Sequence, residues 1–195
     1  MGYDLLAAVL FVTITPLVVV GFIVFWAVNA KDHEDLANEW GSFARRRGLE
    51  LVAPEGEWPN RSAPAIAWKE ANADFSITTI GREARVRTRL VVKPRSSLLG
   101  TLTVELPGLR IAERPPGFAE RILTERVTRL LLGFRQHDTI VVRYRRGRLV
   151  VDWPGGERND ARLDEAMRLG SELARAIDDE FRATELRAAA RKPAA

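Results

Sequence analysis

Three alternate positions, Arg85, Arg87 and Arg89, carry guanidinium groups, and Lys93 and Arg95 continue the same parity. Successive side chains of an extended chain point to opposite sides, so these cations share one face, opposite Val86, Leu90 and Val92. A second basic cluster, Arg143, Arg145, Arg146 and Arg148, surrounds Gly147. Groups of this kind hold carboxylates and phosphates, arginine through a planar fork and lysine as a point charge. The ligands that fit are anionic lipid headgroups, an acidic protein surface or phosphate groups. The wet face of an ordinary sheet has a similar composition, and Glu83, Glu105 and Asp152 are available to neutralise part of it across strands.

Other chemistry-bearing residues are sparse. His137 stands beside Asp138, a base next to an orienting acid, but neighbours in an extended segment point apart and a turn needs polar residues anyway. His33-Glu34-Asp35 lacks the second histidine four residues on that a zinc-protease helix requires. Asp178-Asp179-Glu180 reads as a solvated patch of a helix. Trp58, Trp68 and Trp153 suit a core or its edge better than a pocket. With no cysteine and two histidines, thiolate chemistry and cysteine- or histidine-rich metal sites are excluded. Glycine-rich phosphate loops and the Gly-x-Ser-x-Gly elbow are absent from the sequence, so no cofactor is expected. A net charge of +4 without a recognition-helix, RNP or zinc-finger pattern gives no reason to expect nucleic acid as a partner.

The elements that must position these groups fall into two unlike parts. Leu5 to Val28 is an uncharged run of 24 residues, with Tyr3 and Trp26 near its ends. As a helix it spans ~36 Å, enough for the ~30 Å hydrocarbon layer, and residues 1–30 therefore read as a transmembrane anchor. A cleaved signal sequence fits worse, because the run is long and no basic residue precedes it. Lys31 and Arg45-Arg46-Arg47 follow the run while residues 1–4 hold no Lys or Arg, so the charge rule places the body in the cytoplasm, on a single-pass membrane protein.

Residues 31–187 read as one α+β domain and 188–195 as a disordered tail. Asp32 to Arg47 has acids in its first turn, arginines in its last and Gly48 beyond, the charge order and stop signal of a helix. Alternation predicts strands at Leu49–Val52, Ala65–Lys69, Asp74–Ile80, Arg85–Lys93 and Thr101–Leu106, joined as an antiparallel meander. Helical spacing of Leu123, Val127, Leu130, Leu131 and Phe134 predicts a helix over Phe118–Phe134. A hairpin follows, with strands Thr139–Tyr144 and Arg148–Trp153. The last helix starts near Asn159 or Asp160 and carries an apolar stripe to Phe181. The expected architecture is one transmembrane helix followed by an antiparallel sheet of about seven strands with three packed helices. The function this supports is non-catalytic: a binding or accessory module at the membrane surface, using Arg85, Arg87, Arg89, Lys93, Arg95, Arg143, Arg145, Arg146 and Arg148. The alternative is a small membrane-associated hydrolase or transferase using His137 with a nearby acid.

Overall fold

The computed structural model describes residues 2–56, 62–81, 86–134 and 139–190; in the first helix, side chains are described for 14–24, 31, 32 and 34–47. Arg85, His137, Asp138 and Trp58 lie outside the described residues, as do residues 191–195 of the expected tail.

Helix α1 runs without a break from Gly2 to Arg47. The apolar run and the amphipathic segment after it, expected as two elements, are one rod, because nothing between Val28 and Lys31 stops a helix. It ends as the sequence predicts: Gly48, at φ 65°, lets its own N–H reach the Arg45 carbonyl and the Leu49 N–H reach Ala44, the paired bonds of a Schellman stop. The apolar side chains of Ile14 to Val24 are exposed, whereas Leu36, Trp40, Phe43 and Ala44 are buried. Among the described residues no helix is long and apolar enough to cross a membrane.

The strands are β1 (Glu50–Val52), β2 (Ala65–Lys69), β3 (Ala73–Ile80), β4 (Arg87–Pro94), β5 (Thr101–Glu105), β6 (Arg110–Arg114), β7 (Val141–Arg145) and β8 (Arg148–Pro154). Helices α2 (Phe118–Ile122), α3 (Glu125–Phe134) and α4 (Asp160–Ala190) complete the described elements. The class is α+β, as expected, with one more strand than predicted. All eight strands join one antiparallel sheet in the order β1-β2-β3-β4-β8-β7-β5-β6. The meander therefore holds only through β4. Strand β8 takes the free edge of β4, and β5 pairs instead with β7 and β6. β6 has no sequence signal because it is an edge strand with almost no buried side chain, so it lacks an apolar alternation.

The expected single helix over Phe118–Phe134 is two. Leu123 leaves helical geometry (φ −81°, ψ 62°), and the Thr124 hydroxyl accepts the Val127 N–H at 3.3 Å to start α3. The apolar spacing runs through this break because both helices bury the same side. At the start of α2 the Glu113 carboxylate, reaching from β6, accepts the N–H groups of Ala119 (2.5 Å) and Gly117 (2.8 Å). Those bonds, with the nearby Arg121 charge, hold its pKa below the ordinary carboxylate range. α4 is capped by Asn159, whose side-chain oxygen accepts the Ala161 N–H at 2.9 Å. It continues to Ala190, three residues into the segment expected to be disordered. Asp178 and Glu180 on it are ion-paired, to Arg182 and to Arg121 and Arg187, and are not the solvated patch expected.

The four described helices cover one face of the sheet. A Cβ on Gly170 of α4 would meet Leu90 at 3.1 Å and Phe75 at 3.4 Å; a Cβ on Gly41 of α1 would meet Leu51 at 3.3 Å. Phe118 of α2 packs on Tyr144 and Phe134 of α3 edge-on to Trp153. One buried polar network ties α1 to this core. The Trp40 indole N–H donates to the Glu157 carbonyl at 2.7 Å. The Glu157 N–H donates to the Thr88 hydroxyl (2.9 Å), which donates to the Gly155 carbonyl (2.8 Å). The Glu157 carboxylate accepts from Trp153 Nε1 and the Asn159 N–H and pairs with Arg162.

Thr88 is fully buried, so Thr88→Val keeps the shape but orphans one N–H and one carbonyl, and a loss of about 2–4 kcal/mol is expected in denaturant unfolding; an unchanged midpoint would show that the network carries no stability. Glu113 gives a pH prediction. A folded-state pKa below the unfolded value, roughly 4.3, means its bonds stabilise fully above that value and are lost as pH falls through the lower folded one. Glu113→Gln is therefore expected to flatten the fall of melting temperature below about pH 4, and an identical acid limb in the variant would contradict this.

Candidate functional site: the open face of the sheet

The face without helices among the described residues displays the alternate side chains. On β4 these are Arg87, Arg89, Val91 and Lys93, while Thr88, Leu90 and Val92 point at the helices. The parity inferred from the sequence is thus observed for Arg87, Arg89 and Lys93. Val91 is also buried, at 4% exposure, although it is on the open side; its flanking basic chains have aliphatic stems suited to covering it.

Strand register sorts the face into rows that the sequence could not assign. One row joins Arg89, Asp152, Val141, Glu105 and Arg110 across β4, β8, β7, β5 and β6. Its two cations meet two acids. The row at the other end joins Lys69, Asp74 and Lys93 on β2, β3 and β4 with Arg145, Thr101 and Arg114 on β7, β5 and β6. Arg148 pairs with Arg145 and extends the β4–β8 ladder one residue past Val92–Leu149, beside Lys93. That row has five cations against Asp74, and all five are exposed. Arg143 lies between the rows, Arg146 at the tip of the turn and Arg95 just past β4. The turn is the tight primed kind, with Arg146 at φ 53° and Gly147 at φ 69°.

Asp152 organises the middle. Its side chain is 4% exposed and holds Arg89 by two bonds, Nε at 2.6 Å and an Nη at 2.9 Å, and Arg143 by one at 3.0 Å. The hydrogen bonds that Arg89 donates to the Asp152 carboxylate raise its pKa above an already high value, outweighing burial, with the ion-pair attraction adding to it. Two guanidiniums around one carboxylate leave the group net positive, and Arg143 is half-exposed. Arg87 makes long contacts, 3.4 Å each, to the Thr139 and Asp152 carbonyls, and its buried Nε has no partner among the described residues. Of the neutralising acids expected, Asp152 does act across strands.

At the end of the basic row is a cleft of about 470 Å³ whose lining includes Gly48, Trp68, Lys69, Asp74, Ser76 and Lys93. Trp68 stacks flat on Phe75, ring centres 4.9 Å apart, and Trp153 is fully in the core. Among the described residues that line the cleft, Ser76 is the one hydroxyl nucleophile and no histidine accompanies it. Among the described residues no cluster of three or more His, Asp or Glu side chains is arranged to hold a metal ion. Lys69, Arg110 and Arg114 were not singled out from the sequence, because only cross-strand register brings them to this face.

These features define a class: an α+β domain whose antiparallel sheet has one face packed by helices and one open, basic face. No family model matches the chain, and no curated protein matches it. Among solved structures it is similar to the crystal structure of the mycobacterial trehalose monomycolate transport factor A, TtfA, with a TM-score of 0.56 and 12% identity over 72% of this chain and 93% of that one. At that identity the likeness is one of fold.

Asp152→Asn is expected to free both guanidiniums and to lower stability by about 1–3 kcal/mol, the range for a hydrogen bond to a charged group at a partly exposed site. Denaturant unfolding at low and high salt measures it; a variant as stable as the parent would mean that Asp152 does not hold the pair.

Proposed function

We propose that this chain is a membrane-anchored, non-catalytic accessory module that acts by binding through the open face of its sheet. The observation that carries this reading is the concentration of exposed cations in one row of a face that no described helix covers. An apolar anchor is supported by the 24-residue uncharged run and by the exposure of its side chains from Ile14 to Val24, which make no core contact. A soluble chain rarely leaves such a patch uncovered. The Lys and Arg asymmetry supports a cytoplasmic body. The fold shared with a protein titled a trehalose monomycolate transport factor favours an accessory role over an enzymatic one.

Two measurements on the full-length chain in its native membranes test this. The chain is expected to stay in the membrane pellet through alkaline carbonate extraction, and release into the supernatant would remove the anchor. Protease is expected to digest the body in sealed inside-out vesicles alone; digestion in right-side-out vesicles alone would reverse the orientation and direct the search for partners to the envelope.

A further inference from the structure

The basic row stands far from the end of α1 that enters the membrane, and this decides between the anions it fits. The inference rests on reading α1 as the anchor. Near its apolar part, Asp32 and Glu39 of α1 pair with Arg158, and the Leu36 side chain lies by Gly156, where Val86 also approaches. That is the end of the sheet where β4 begins and β8 finishes, the end of the charge-balanced row of Arg89, Asp152, Glu105 and Arg110. The other end of α1, at Gly48, lines the same cleft as Lys69 and Lys93 of the basic row. Lys31 to Arg47 is ~25 Å of helix, and the potential of an anionic leaflet fades within a Debye length of ~8 Å. Headgroups at the foot of the helix are therefore out of range of Lys69, Lys93, Arg114, Arg145 and Arg148. Direction agrees with distance. A helix packed on a sheet lies parallel to it, so the open face looks sideways along the membrane and not down onto it.

We propose that the row formed by Lys69, Lys93, Arg114, Arg145 and Arg148 binds an acidic protein surface held above the headgroup layer. The occupant is set by charge: the cations outnumber the single acid of the row, Asp74, and alternate positions of several strands present them on the one face that no described helix covers. The rigid seat of α1 fixes the height and bearing of that front, so a partner fixed in the same plane meets it at high effective concentration.

The chain has no cysteine, so single labels can be placed at will. Leu109→Cys marks the near end and Ser97→Cys, beside Gly147, the far end. The full-length protein is reconstituted in vesicles of phosphatidylcholine alone or with one-third phosphatidylserine, and a headgroup-attached quencher reports proximity. Quenching is expected at Leu109→Cys and not at Ser97→Cys, in both lipids. Binding of a polyglutamate peptide to the protein in neutral vesicles is expected to weaken with salt and to fall about tenfold in the triple variant Lys93→Gln, Arg145→Gln, Arg148→Gln at an unchanged melting temperature. Quenching at Ser97→Cys with phosphatidylserine would make headgroups the ligand and overturn the proposal. Equal polyglutamate binding by the variant would overturn it too. Failure of the protein to float with either vesicle is a different result: it ends the anchor reading on which the proposal stands.

Discussion

The bond from the Trp40 indole to the Glu157 carbonyl, 2.7 Å long and fully buried, is the constraint on which the rest of the arrangement depends. Without it the buried side of α1 would meet the core through apolar contacts, which hold a helix against a surface but do not set its bearing, and only exposed ion pairs would remain to do so. The bond joins residues 117 apart in sequence, and Glu157 passes the constraint on, through Thr88 to β4 and through its carboxylate to Trp153 and the start of α4. Outside the core, Arg46 and Arg47 pair with Asp160 and Asp164, and Arg158 with Asp32 and Glu39. Those exposed pairs add little stability each, but they guard the same angle.

A second consequence follows for the open face. Because the described helices take one side of the sheet, the alternate residues on the other side meet solvent or one another, and Val91, Val141 and Asp152 are buried there among their neighbours. Asp152 could have been a liability there, a nearly buried carboxylate in a low-dielectric setting. Three guanidinium bonds satisfy it, and in return it fixes Arg89 and Arg143. An arginine held in this way gives up less side-chain freedom on meeting an anion than a free one does. The far row has no such organiser, and its charges act as a field more than as a set of shaped contacts.

Local signals in the sequence were reliable where one residue decides the geometry. Gly48 stops α1, Arg146 and Gly147 make the turn, and Asn159 caps α4, each through a bond or a dihedral that its own side chain permits. Strands β1 to β5, β7 and β8 announced themselves by their apolar alternation or by the turn beside them. β6 did not, since an edge strand with almost no buried residue has no pattern to show. The split between α2 and α3 was hidden because both helices bury one continuous side, although Thr124 was there as a cap.

The sequence by itself determined the class of the fold, the parity that puts Arg87, Arg89 and Lys93 on one side, the hairpin and the apolar run at the start, because these depend on residues a few positions apart. Only the tertiary structure decided that β8 lies between β4 and β7, that α1 is one rod seated by Trp40, and that Lys69, Arg114 and Arg145 share a row with Lys93 while Arg89 sits among acids. The physical reason is that strand pairing is chosen by which buried faces fit together across the whole sheet, a sum over contacts distant in sequence. A one-residue shift of register would turn the side chains of a strand to its other face without altering a letter of the chain.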